Sequence, residues 1–70
     1  MGNTEKIKLL MVKRKMTGVD LAEKLGVTSQ AIYAKFRKDR YPDDELVRIA
    51  EALDCDFEGI FTMRDTGEKF

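Results

Sequence analysis

Apolar residues recur at helical spacing along most of this 70-residue chain. Ile7, Leu10 and Met11 stand at i, i+3 and i+4, which on a 3.6-residue repeat places them on one stripe. The spacing predicts a first helix over about Thr4 to Lys15, with Asn3 or Thr4 as its cap and Glu5 in its first turn. Lys13, Arg14 and Lys15 would stand at the negative C-terminal end of that helix. Met16 then closes the corner. The next apolar set, Val19, Leu21, Ala22 and Leu25, predicts a second short helix capped by Thr17. Gly26 follows, where a glycine turns the chain at little cost. Thr28 is placed to cap a third helix, over about residues 29–38, with Ile32 and Phe36 four apart on its buried side and Ser29 and Gln30 in its first turn.

Beyond this point Asp39 to Pro42 interrupts the periodicity. Pro42 holds Tyr41 extended, and Asp43 reads as the N-cap of a fourth helix whose buried face is Leu46, Ile49, Ala50 and Leu53. Asp54 to Asp56 is a further break. Phe57, Ile60 and Phe61 repeat the i, i+3, i+4 spacing and predict a fifth, short helix capped by Asp56. Thr62 to Phe70 is polar and contains glycine, and reads as a frayed tail. The pattern therefore predicts an all-α, compact five-helix domain over residues 3–61, a flexible tail over 62–70, and no strand.

A chain of this length is near the lower limit for a single apolar core and leaves no room for a second domain. No basic-then-apolar leader and no membrane-length apolar run is present, so a cytoplasmic protein is expected. One cysteine and no histidine offer neither an internal disulfide nor a transition-metal ligand set, and Cys55 reads as a small packing residue. With no histidine base and no glycine-rich phosphate loop, catalysis is not expected, nor is a cofactor or metal. The formal charge is zero, but its distribution is uneven. Residues 1–41 carry ten basic and four acidic side chains, whereas residues 42–70 carry three basic and nine acidic. Screening acts over roughly 8 Å in physiological salt, so a polyanion beside one face responds to that face and not to the sum.

The stretch from Thr17 to Lys38, two short amphipathic helices joined by Gly26-Val27-Thr28, has the plan of a helix-turn-helix. Over about Ile7 to Phe61 the chain resembles the phage-repressor and Cro-like family of helix-turn-helix transcriptional regulators. The likeness is carried by Leu10, Thr17, the run Leu21-Ala22-Glu23-Lys24-Leu25-Gly26-Val27-Thr28, Ile32, and Ile49-Ala50-Glu51-Ala52-Leu53. Relatives often have a glutamine where this chain has Gly18. They also often pair an arginine with a glutamate at the positions of Met11 and Phe36, which here are both apolar, an exchange that preserves a packed core.

The resemblance implies the lambda-repressor-like five-helix fold and binding to double-stranded DNA, with the third helix in the major groove. It implies that Ser29, Gln30, Tyr33 and Ala34 meet base edges, with Arg37 one turn further. Gln30 is the first candidate reader, because its amide pairs bidentately with adenine. Tyr33 could stack on a sugar, touch a thymine methyl or stay in solvent. Thr17, the backbone amide of Gly18, Thr28, Lys35, Lys38 and Arg40 are implied to hold phosphates. The expected function is a DNA-binding transcriptional regulator, more readily a repressor than an activator. It would act as a homodimer on two half-sites, because one such domain makes few contacts. Phe57, Phe61, Met63 and Phe70 are the candidate dimer surface. The alternative is a protein-interaction or antitoxin-like accessory module; no small-molecule ligand and no membrane partner is expected.

Overall fold

The computed structural model describes residues 2–70. In chain order its elements are α1 (Asn3–Lys13), α2 (Gly18–Leu25), α3 (Ser29–Lys38), α4 (Asp43–Ala52), β1 (Cys55–Phe57) and β2 (Phe61–Met63). The first four expected helices form, with small shifts at their ends. Helix α1 stops at Lys13, two residues earlier than expected, and Lys15 takes a left-handed φ of 56° that turns the chain away. The N-cap of α4 is Pro42, and Asp43 is its first helical residue, followed by Asp44 and Glu45 in a first turn whose three carboxylates favour the positive end of the helix.

The expected fifth helix is an antiparallel hairpin. Strand β1 pairs with β2 in the register Cys55 to Met63, Asp56 to Thr62 and Phe57 to Phe61. Phe57 and Phe61 satisfy a helical repeat with Ile60, but they also alternate with Cys55 and Met63. Cys55, Phe61 and Met63 are buried while Asp56 is exposed, a period of two. Gly59 decides between the two periods. Its φ is 76°, which a strand connection accepts and a helix interior does not. Ile60, expected in the core, is consequently exposed in the turn. Phe57 and Phe61 face each other across the strands with ring centroids 4.8 Å apart.

Residues 62–70 are not frayed. Phe61 and Phe70 exchange both backbone hydrogen bonds (3.0 and 2.9 Å), Met63 N–H donates to the Glu68 carbonyl at 2.9 Å, and Thr62 bridges Lys69. A turn at Gly67, with φ 75°, returns the chain. Arg14 holds this return in place. Its Nε donates to the Leu53 carbonyl at 2.7 Å and Nη2 to the Asp54 carbonyl at 2.9 Å, while the guanidinium grips both carboxylate oxygens of Asp65 at 2.8 and 3.0 Å. One side chain thus satisfies carbonyls at the C-terminal end of α4 and clamps the tail, a planar two-pronged geometry that lysine could not reproduce.

The core gathers Ile7, Leu10, Met11, Leu21, Ala22, Ile32, Phe36, Leu46, Ile49, Ala50 and Leu53 with Cys55, Phe61 and Met63 from the hairpin. Met11 and Phe36 share this cluster, as the paired apolar positions implied. Val19, expected on the buried face of α2, is half exposed. Cys55 is a free, fully buried packing residue whose thiol is pushed up by burial. The surplus apolar area proposed for dimerisation does not exist in that form. Phe61 and Met63 are core residues, and Phe57 and Phe70 pack against the core.

Helix α1 is capped from a distance. Gly2 provides no side chain, and the Asp39 carboxylate accepts the Thr4 N–H at 2.9 Å, while Asp39 itself ends α3 in a left-handed conformation. The Thr4 hydroxyl adds a 3.2 Å bond to the Phe36 carbonyl and a 2.7 Å contact with the Tyr41 hydroxyl. The backbone hydrogen bond from Thr4 holds the Asp39 carboxyl below the usual carboxylate range; the Thr17 backbone N–H acts in the same way on Asp20, and the Arg14 guanidinium lowers Asp65 through its side-chain hydrogen bonds. A carboxyl lowered in the folded state stabilises above its unfolded value, near 4, and that stabilisation is lost as pH falls through the lower folded value. Thermal melts should therefore show a midpoint that falls as pH drops below about 4. Asp39→Asn should start lower and fall less steeply. Parallel curves for the two proteins would show that Asp39 is not a source of the decline.

Candidate nucleic-acid interface

Helices α2 and α3 are set by two threonine caps and one glycine. At Thr17 the cap is reciprocal: the Asp20 N–H donates to the threonine Oγ1 at 3.2 Å, and the Thr17 N–H donates to the Asp20 carboxylate at 2.9 Å. Thr28 caps α3 by accepting from the Ala31 N–H at 3.2 Å. Between them Gly26 closes α2 with φ 71°, its N–H and that of Val27 returning to the last turn of the helix. Each capping hydroxyl accepts from the backbone and keeps its own O–H free to donate. Ala22, only 2 % exposed, is in the core cluster with Ile32 of α3, where a larger side chain would hold the helices apart.

Ile32 and Phe36 anchor one side of α3 in the core. Gln30, Tyr33, Ala34 and Arg37, spaced i, i+3, i+4 and i+7, form a strip along another side. Gln30 and Arg37 are exposed, while Ser29 and Ala34 are half buried. Tyr33 is 43 % exposed and lies edge-on to Phe36, with centroids 6.1 Å apart and planes at 73°. The same ring lies over Gly18. A β-carbon at residue 18 would stand 2.7 Å from the Tyr33 hydroxyl oxygen and 2.8 Å from its Cε1 and Cζ. Two positions implied separately by the resemblance are thereby brought into one contact.

A family model described as the Cro/C1-type HTH DNA-binding domain matches residues 6–65. The chain belongs to that family. No curated protein and no solved structure matches it. In this Cro/C1-type domain α2 and α3 are the two helices of the helix-turn-helix, and the match extends through the hairpin to the residue clamped by Arg14. Among the described residues no helix is long and apolar enough to cross a membrane.

The electrostatics of the domain are partly internal. Lys13 pairs with Glu68 at 3.1 Å and Arg14 with Asp65 at 2.8 Å, so carboxylates of the C-terminal half neutralise two cations at the end of α1, while Arg64 pairs with Asp56 at 3.0 Å within that half. Lys35 departs from the expectation of a free phosphate contact, because its ammonium pairs with Glu45 in the first turn of α4. Among the described residues no carboxylate pairs with Arg37, Lys38 or Arg40, and all three are exposed. Arg37, Lys38 and Arg40 are therefore unpaired at the end of α3, whereas Lys13 and Arg14 at the end of α1 are paired. The pairing of Lys35 depends on where α4 packs, and the seat under Tyr33 depends on how α2 crosses α3. The only local sign of the second is a glycine in a first helical turn, where its φ is not left-handed and glycine is not required by the backbone.

Proposed function

We propose that this Cro/C1-type domain is a sequence-specific transcriptional repressor that places α3 in the major groove of double-stranded DNA. The observation that carries this reading is the α3 surface itself: the exposed Gln30 amide and Arg37 on one strip, followed by Lys38 and Arg40, with no carboxylate among the described residues paired to any of the three cations. In this reading Gln30 reads a base, aided by Ser29, Tyr33, Ala34 and Arg37. Lys38 and Arg40 hold phosphates together with the Thr17 and Thr28 hydroxyls, whereas Gly18, implied by the resemblance as a phosphate contact, is buried under the Tyr33 ring. Lys35 steadies α4 instead. The domain acts as a homodimer on half-sites centred roughly 34 Å apart, because one copy presents too few contacts for tight specific binding.

The test separates reading from holding. On a duplex selected from a random library, Gln30→Ala should weaken binding by about 1–3 kcal/mol and relax the preference at one base pair, with little change on scrambled DNA. Lys38→Ala should weaken binding to every duplex alike and lower the salt slope by about one. Titrations at several salt concentrations measure both. A wild type without salt-dependent affinity for any duplex would overturn the DNA reading.

A further inference from the structure

Gly18 stands in the first turn of α2 with no backbone reason to be glycine. Alanine has the higher helix propensity, and the residue is not in the left-handed region that glycine favours. What glycine supplies there is space. The Tyr33 side chain fills it so closely that any β-carbon would meet its hydroxyl oxygen and two ring carbons at 2.7–2.8 Å. The hydroxyl end of the ring is turned onto Gly18, and Phe36 meets the ring on another side. Tyr33 remains 43 % exposed, and its ring is held on the strip that also carries Gln30 and Arg37, so a hydrocarbon edge is available there. In the major groove the feature that matches an apolar edge is the C5-methyl group of thymine.

We infer that Gly18 is a positioning residue for Tyr33, and that the ring edge it fixes recognises a thymine methyl beside the base read by Gln30. The inference rests on the DNA reading above and adds a substrate feature to it. Gly18 acts through Tyr33, which makes the contact. Since the obstructing atoms belong to the far end of one side chain, Gly18→Ala should displace the ring and leave the fold in place.

The experiment replaces thymine by uracil, one position at a time, in the selected duplex, and measures affinity for the wild type, Gly18→Ala, Tyr33→Ala and Tyr33→Phe. Loss of one buried methyl corresponds to about a fourfold loss of affinity. The wild type and Tyr33→Phe should show that loss at a single thymine. Gly18→Ala and Tyr33→Ala should not distinguish thymine from uracil there, while keeping the wild-type salt slope and a cooperative melt. In the free protein, proton NMR should give contacts between the Gly18 α-protons and the Tyr33 ring, which reads the seat without DNA. Wild-type binding that is indifferent to uracil at every position, or uracil sensitivity preserved in Gly18→Ala, overturns the inference and leaves the DNA reading standing. Absent NMR contacts overturn the seat alone, and a wild type that binds no duplex overturns both proposals.

Discussion

Deleting Thr62 to Phe70 should abolish the cooperative unfolding transition of the domain. The deletion removes Met63, 4 % exposed in the core, and it strips the rest of β2 and the returning segment that pairs with it from Phe61, which has no exposed surface at all. It also leaves Arg14 without the Asp65 carboxylate that fixes its guanidinium. Losing a buried methionine alone costs about 2–5 kcal/mol. Domains of this size stand at the low end of the usual ~5–15 kcal/mol stability range, so the combined loss exceeds the margin. Circular dichroism on heating should show a sloping curve in place of a sigmoid. A truncated protein melting cooperatively within a few degrees of the full chain would mean that the hairpin and its return are dispensable.

The second large effect is expected at Phe36. Its ring is 9 % exposed in the core, meets Tyr33 edge-on at 6.1 Å, and lies 5.5 Å below the Lys8 ammonium. Phe36→Ala should destabilise by about 3–5 kcal/mol, the usual range for removing a core aromatic ring. Phe36→Leu should recover most of that loss, because it refills the volume with an apolar group. Urea unfolding of the three proteins measures the difference. A loss below about 1 kcal/mol in the alanine variant would place Phe36 outside the structural core and with it the register of α3.

The helix-turn-helix was legible because its instructions are local. Thr17 caps through Asp20, Thr28 caps through Ala31, and Gly26 takes the left-handed turn, each within a span of a few residues. The hairpin was less legible because Phe57 and Phe61 fit a helical repeat with Ile60 and equally an alternation with Cys55 and Met63, and a short apolar run does not decide between them. Gly59 was the missing arbiter. Other features join residues far apart in sequence, and no local pattern announces them. Asp39 caps a helix that begins 36 residues earlier at Asn3, Arg14 reaches the tail across the domain, and Lys35 is diverted to α4. The candidate interface was legible as residue types, and illegible in which of its cations is already paired and in why residue 18 is glycine.

Asp39 closes α3 with its backbone and opens α1 with its carboxylate. Neither helix end can fray without breaking a bond that belongs to the other, so the two ends share one free energy of opening. The last turn of α3, with Arg37 and Lys38 on it, is thereby ordered in advance. A ligand that engages those side chains finds the backbone beneath them already rigid, and the entropy of ordering it does not count against binding.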